Sequence, residues 1–119
     1  MILEDIQKKL EEIDSKVFYG KVDEKEIDNE WNYIVFMRKK LRYDAQKKSF
    51  SDVFVVAVIR ENFIPDGLET DVIEAVCTIN GMRVSGTDGD YNYVQKPNTN
   101  TVVEILTLEF VRARKRAGV

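Results

Sequence analysis

Ser51-Asp52-Val53-Phe54-Val55-Val56-Ala57-Val58-Ile59-Arg60 is the stretch that decides the fold. From Val53 to Ile59 every residue is apolar and most are β-branched, with polar residues at both ends. A run of this length without polar alternation predicts a central strand buried on both faces. It ends at Asn62 to Gly67, where Pro65-Asp66-Gly67 predicts a turn: proline presets φ and glycine accepts positive φ.

The flanking segments fit around this strand. Upstream, Trp31, Tyr33, Val35 and Met37 fall on one face of an extended segment, with Ile34 and Phe36 on the other. Arg38 to Lys48 follows, six basic residues against Asp44, and Leu41-Arg42-Tyr43 inside it either continues that strand or starts the next. Further back, Ile2, Leu3, Ile6, Leu10 and Ile13 recur at helical spacing and predict an amphipathic helix over 2–14. Ser15 to Gly20 reads as its exit, and residues 23–30, with five acids and one base, as a solvated loop.

Downstream, Leu68, Val72, Ile73, Val76 and Ile79 form the stripe of a second helix over 68–79, ended by Asn80-Gly81 in a left-handed cap. Met82–Val84 and Tyr91–Val94 read as short strands, with turns at Ser85 to Asp90 and at Lys96 to Asn100. Thr101 to Val111 alternates well as a last strand, before a fraying basic tail over 112–119. The order predicts one α+β domain over 1–119: a mostly antiparallel sheet with two helices packed on one face.

Composition narrows the function classes. The chain has 119 residues, is 44% hydrophobic and 33% charged, and carries a net charge of −3. These values suit one globular domain and give no overall basic charge for nucleic acid. The single cysteine, Cys77, fits a reducing compartment. Acids at Glu4 and Asp5 replace the basic start of a signal peptide, and Val53–Ile59, the longest apolar run, is too short to span a bilayer. There is no histidine, which removes the commonest general base and metal ligand.

No motif carries recognisable chemistry. Thr87-Asp88-Gly89-Asp90 starts like a calcium loop, but the twelfth position counted from Asp88 is Thr99, where the loop needs glutamate. Gly81, Gly86 and Gly89 make neither a dinucleotide fingerprint nor a phosphate loop. Cys77 reads as a small core residue on the second helix. Glu61, Asp66, Glu69, Asp71 and Glu74 cluster in sequence, but nothing in their spacing sets two carboxylates across a cleft. The sequence therefore implies no catalytic residue, metal or cofactor.

Charge, by contrast, is patterned. Segments 23–30 and 61–74 are acidic, and segments 38–48 and 112–116 are basic. Separate acidic and basic patches suit head-to-tail packing of copies, which closes into rings when the rotation allows. Arg38, Lys39, Lys40, Arg42, Arg112 and Arg114 are the candidate interaction surface. With Tyr43 and Phe50 nearby, the same cations suit a module for single-stranded nucleic acid. The plainer expectation is a solvated hairpin whose charges limit edge-to-edge pairing.

Several stretches carry a wider resemblance: the helix Ile2–Ile13, Trp31-Asn32-Tyr33-Ile34-Val35-Phe36, the strand Val53–Ile59 running into Glu61-Asn62-Phe63-Ile64-Pro65, the second helix, Tyr91-Asn92-Tyr93, and a final strand ending in Phe110 with a basic tail. Over nearly its full length the chain resembles the small tail-terminator or tail-completion proteins of tailed bacteriophages and prophages. That resemblance implies a structural protein without catalytic residues, made in the host cytoplasm and built into the virion head–tail junction. It implies a ring, commonly a hexamer, that caps the tail tube, docks onto the head connector and lets DNA pass through its lumen, with no membrane partner. A head-closure or connector protein is the sibling reading, a nucleic-acid-binding module the alternative from another class, and a carboxylate enzyme a third.

Overall fold

The computed structural model describes residues 1–46 and 48–114. In chain order the elements are α1 (Ile2–Glu11), β1 (Val17–Tyr19), α2 (Glu24–Ile27), β2 (Tyr33–Tyr43), β3 (Phe50–Glu61), α3 (Leu68–Cys77), β4 (Met82–Val84), β5 (Asp90–Gln95) and β6 (Val102–Ala113). The strands form one sheet in the order β1-β2-β3-β6-β4, with β5 also paired to β6. All pairings are antiparallel except β1 with β2, which is parallel. The fold is therefore the expected α+β class with a mostly antiparallel sheet.

The apolar run takes the predicted central place. β3 lies between β2 and β6, and its side chains alternate between two cores. Phe54, Val56 and Val58 enter the larger one with Ile34, Phe36, Leu106, Leu108 and Phe110 from neighbouring strands. Ile6 and Leu10 of α1 and Val72 and Val76 of α3 cover that inner face, all at 0% exposure. The outer face carries a smaller core of Val35, Ile59 and Val103, against which Val22, Trp31, Tyr33, Met37 and Ile105 pack. A strand covered on both sides has no face to give to water, which is why its sequence does not alternate.

Four local features depart from the sequence reading. Val17–Tyr19, expected as a helix exit, is strand β1, and Glu24–Ile27, expected as a loop, is a one-turn helix capped by the Asp23 carboxylate on the Lys25 N–H. Three helices are thus present where two were expected, with α1 and α3 sharing the inner face. α3 stops at Cys77, before the predicted end, although Gly81 does adopt the left-handed conformation, with φ of 81°. The expected fraying at Arg112 does not occur: β6 continues to Ala113, pairing with Ser51 and Asp52 on one side and with Met82 on the other. Arg114 still donates its N–H to the Phe50 carbonyl. Lys47, Lys115 and Arg116 of the basic segments lie outside the described residues.

A polar clamp closes the end of the sheet where Glu61 stands. Lys96, expected in an ordinary turn, is 8% exposed and is the buried charged residue among the described ones. Its ammonium donates to the Asn29 carbonyl and to the Glu61 carboxylate at 3.1 Å. Glu61 also accepts the Trp31 N–H at 2.7 Å, and the Asn32 side chain accepts the Glu61 N–H. These bonds join the segment after α2 to β3 and to the turn between β5 and β6. The Trp31 N–H, and then the Lys96 hydrogen bond, hold the Glu61 carboxyl below its usual pKa.

That shift sets a pH window. Because folding lowers the Glu61 pKa, the stability it contributes is complete above the ordinary carboxylate value of 4.5 and is lost as pH falls through the lower folded value. Thermal unfolding of the native chain and of Glu61→Gln checks this. The native chain melts higher at neutral pH, and the gap closes as pH drops below the ordinary value; a gap that persists in acid contradicts the assignment.

Candidate assembly surfaces

The molecule is long. Its extents are 54 × 24 × 24 Å and its radius of gyration is 15.7 Å, where a compact domain of this length has about 13.5 Å. The far end of β2, residues 37–43, forms an open-edged arm of the sheet, backed along its length by β3 and, behind β3, by β6. β1 pairs with β2 only at Ile34 to Phe36, so among the described residues β2 from Met37 to Tyr43 has β3 on one side and no strand on the other. This settles the open choice at Leu41-Arg42-Tyr43: they continue the strand. Leu41 is 44% and Tyr43 63% exposed, and the Tyr43 ring packs against Phe50 with centroids 6.3 Å apart.

Strand geometry distributes the predicted cations. The register shifts between Arg38 and Lys40, placing Arg38 opposite Phe54 and Lys40 opposite Val53. Lys39 is therefore the extra residue of a β-bulge. Alternation puts Arg38, Leu41 and Tyr43 on the inner face with Phe54, and Lys40 and Arg42 on the outer face. Lys39 also reaches the outer face, where its ammonium pairs with Glu109 at 2.8 Å. That hydrogen bond, with the further charges of Lys40 and Arg42, holds the Glu109 carboxyl below its usual pKa. Arg112 donates to the Asn80 carbonyl at 2.9 Å, and Arg114 clasps both oxygens of Asp52.

The six candidate cations therefore share one end of the molecule but not one face. Arg38, Lys40 and Arg42 are exposed on the arm, whereas Lys39 and Arg114 are neutralised by carboxylates. The aromatic pair Tyr43–Phe50 lies on the face opposite Lys40 and Arg42.

A second surface lies around β5, which the sequence reading did not single out. All six residues of β5 are exposed, and it pairs with β6 at Val102 to Thr107. The Tyr93 hydroxyl donates to Glu104 at 2.8 Å, and the Tyr91 hydroxyl donates to Glu69 of α3 at 3.2 Å. The Glu104 hydrogen bond raises the Tyr93 pKa; burial first, then Glu69, raises that of Tyr91. Two carboxylates and two tyrosines thus converge here, with Asp90 at the start of the strand. Exposed tyrosines with adjacent acids were the available signal, but only pairing to β6 brings Glu69 and Glu104 together.

Along β6 the two surfaces lie at opposite ends, since β5 pairs with Val102 to Thr107 while the arm's β3 start pairs with Val111 to Ala113. They also lie on opposite edges, with β3 and β6 between them. The other sequence candidates have structural surroundings. Glu61 belongs to the Lys96 clamp, and Cys77 is half-buried beside the main core, where burial raises its thiol pKa. Among the described residues no group of three or more metal-ligating side chains is arranged to hold an ion, and no helix is long and apolar enough to cross a membrane. Comparison with protein-family models and with curated proteins gives no match.

Proposed function

We propose that this protein is a structural, non-catalytic subunit of the head–tail junction of a tailed phage or prophage. In this reading it is of the tail-terminator kind, forming a ring that caps the tail tube and meets the head connector while DNA passes through the lumen. The observation that supports this reading is the placement of charge. The cations Arg38, Lys40 and Arg42 are exposed at one corner of an elongated subunit, and Glu69 and Glu104 meet Tyr91 and Tyr93 at the diagonal corner. A subunit with unlike, complementary ends makes heterologous contacts, and those close into rings when the rotation allows.

Light scattering behind size exclusion, across concentration and salt, tests it. The expected species is a discrete ring of about six copies that dissociates as salt screens the charged ends. A ring intact at molar salt replaces the charged contact with an apolar one. A strict monomer that binds DNA with a steep salt dependence favours a nucleic-acid module instead. That second reading draws on the exposed Arg38 and Tyr43, which share the inner face of the arm with Leu41 between them. Against it stands the split of the cations over two faces, since a single-strand groove needs cations and stacking rings along one track.

A further inference from the structure

The β5 edge and the β2 edge beyond Phe36 are among the strand edges with no strand partner among the described residues, and their backbone polarity can be read from the hydrogen bonds around them. The Lys96 N–H donates to the Thr101 carbonyl, so 96 and 101 form a hydrogen-bonded pair. Alternation then points the N–H and C=O groups of Tyr91, Tyr93 and Gln95 away from β6. On the arm, the Gly20 N–H donates to the Phe36 carbonyl, so even-numbered residues of β2 point outward up to Arg38. After the bulge the phase changes. Phe50 gives its carbonyl to Arg114, on the side of β6, so its partner Tyr43, and with it Leu41, points outward.

We infer that the β5 edge receives the arm of a second copy of this chain, the outward groups of Leu41 and Tyr43 pairing with those of Tyr91, Tyr93 and Gln95 to make one sheet across two subunits. This deepens the ring reading and rests on it. Three features choose the occupant. Both edges offer alternating outward groups, at Leu41 and Tyr43 on the arm and at Tyr91, Tyr93 and Gln95 on β5, as strand addition requires. The charges are complementary: Arg38, Lys40 and Arg42 come from the arm, and the acceptor carries Glu69 and Glu104 on its inner face and Asp90 on its outer face. Donor and acceptor sit at diagonal corners, so one molecule uses both at once and the contact propagates from copy to copy. Exposed apolar area is available on each side, with Leu41 and Tyr43 on the arm and Tyr93 and Val94, 60% and 42% exposed, on the acceptor.

The test uses the full chain with Cys77→Ala as background. One protein carries Tyr43→Cys on the arm and a second carries Gln95→Cys on the acceptor, and a short bismaleimide is added to each alone and to the mixture. Efficient cross-linking in the mixture, with little in either protein alone, is the expected result. Adding Tyr93→Pro to the acceptor protein removes an outward N–H while leaving the pairing to β6 intact, and lowers the mixed product by about tenfold. Tyr93→Ala, which keeps that N–H, retains most of it. Circular dichroism confirms that each variant is folded. Arm–arm or acceptor–acceptor products, or no mixed product, overturn the inference. If scattering still reports a ring in that case, the ring reading survives with another interface. If the native chain stays monomeric at all concentrations and the mixture of variants gives no product, both fail.

Discussion

Phe54→Ala lowers the stability of the fold by about 4 kcal/mol. The ring is 1% exposed, sits opposite Phe110 in the β3–β6 register, and shares its core with Phe36. Those neighbours are held by β2 and β6 on either side, so the cavity cannot close by moving a loop. A domain of this length melts lower by roughly 4 °C for each kcal/mol, so the variant's midpoint drops by about 15 °C. Denaturant and thermal unfolding both read the change. A loss below about 1 kcal/mol, the range of volume-conserving exchanges, would mean that Phe54 is not enclosed by both neighbouring strands. Phe54 lies opposite Arg38, next to the bulge in β2, so the same variant also loosens the root of the hairpin.

Lys96→Met costs about 3 kcal/mol, because it leaves the Glu61 carboxylate without its cation in a setting where only 10% of the lysine and 19% of the glutamate side chain is exposed. The Asn29 carbonyl loses its donor in the same step. Adding Glu61→Gln removes the stranded charge but keeps an acceptor for the Trp31 N–H, so the double variant recovers about half of the loss. The double-mutant cycle at neutral pH is the check. Single variants whose losses simply add would mean that Lys96 and Glu61 do not act as a pair. Coupling instead identifies the clamp as the device that holds the segment after α2 against the outer face of the sheet.

Much of the architecture is visible in residue order, for local reasons. A strand buried on two faces must be apolar throughout, so Val53–Ile59 announces its own position. The stripes Ile2–Ile13 and Leu68–Ile79 declare their buried sides through the 3.6-residue repeat. Trp31, Tyr33, Val35 and Met37 do end up packed on one side of the sheet, although Trp31 precedes β2 itself. Short elements were harder to read. Val17–Tyr19 is a strand because the parallel edge at Ile34 to Phe36 accepts it, and three residues carry too little periodicity to signal that alone. Arg112 and Ala113 looked like a fraying tail because their strand partners, Met82, Ser51 and Asp52, lie far away in the chain.

The candidate surfaces divide along the same line. By itself the sequence determined that cations and acids occupy separate segments, that a basic stretch from Arg38 to Lys48 lies between two apolar strand segments, and that the chain has no histidine. Tertiary structure alone decided how those charges face. A bulge at Lys39 and strand alternation spread the cations over two sides of the arm, and Glu109 and Asp52 neutralise two of them. Pairing of β5 to β6 gathered Glu69, Glu104, Tyr91 and Tyr93 into an open acidic edge at the opposite corner. The physical reason is range. Helical and strand periodicities are set by neighbours within a few residues, whereas a charge finds its partner, and an edge its exposure, only through strands distant in the chain.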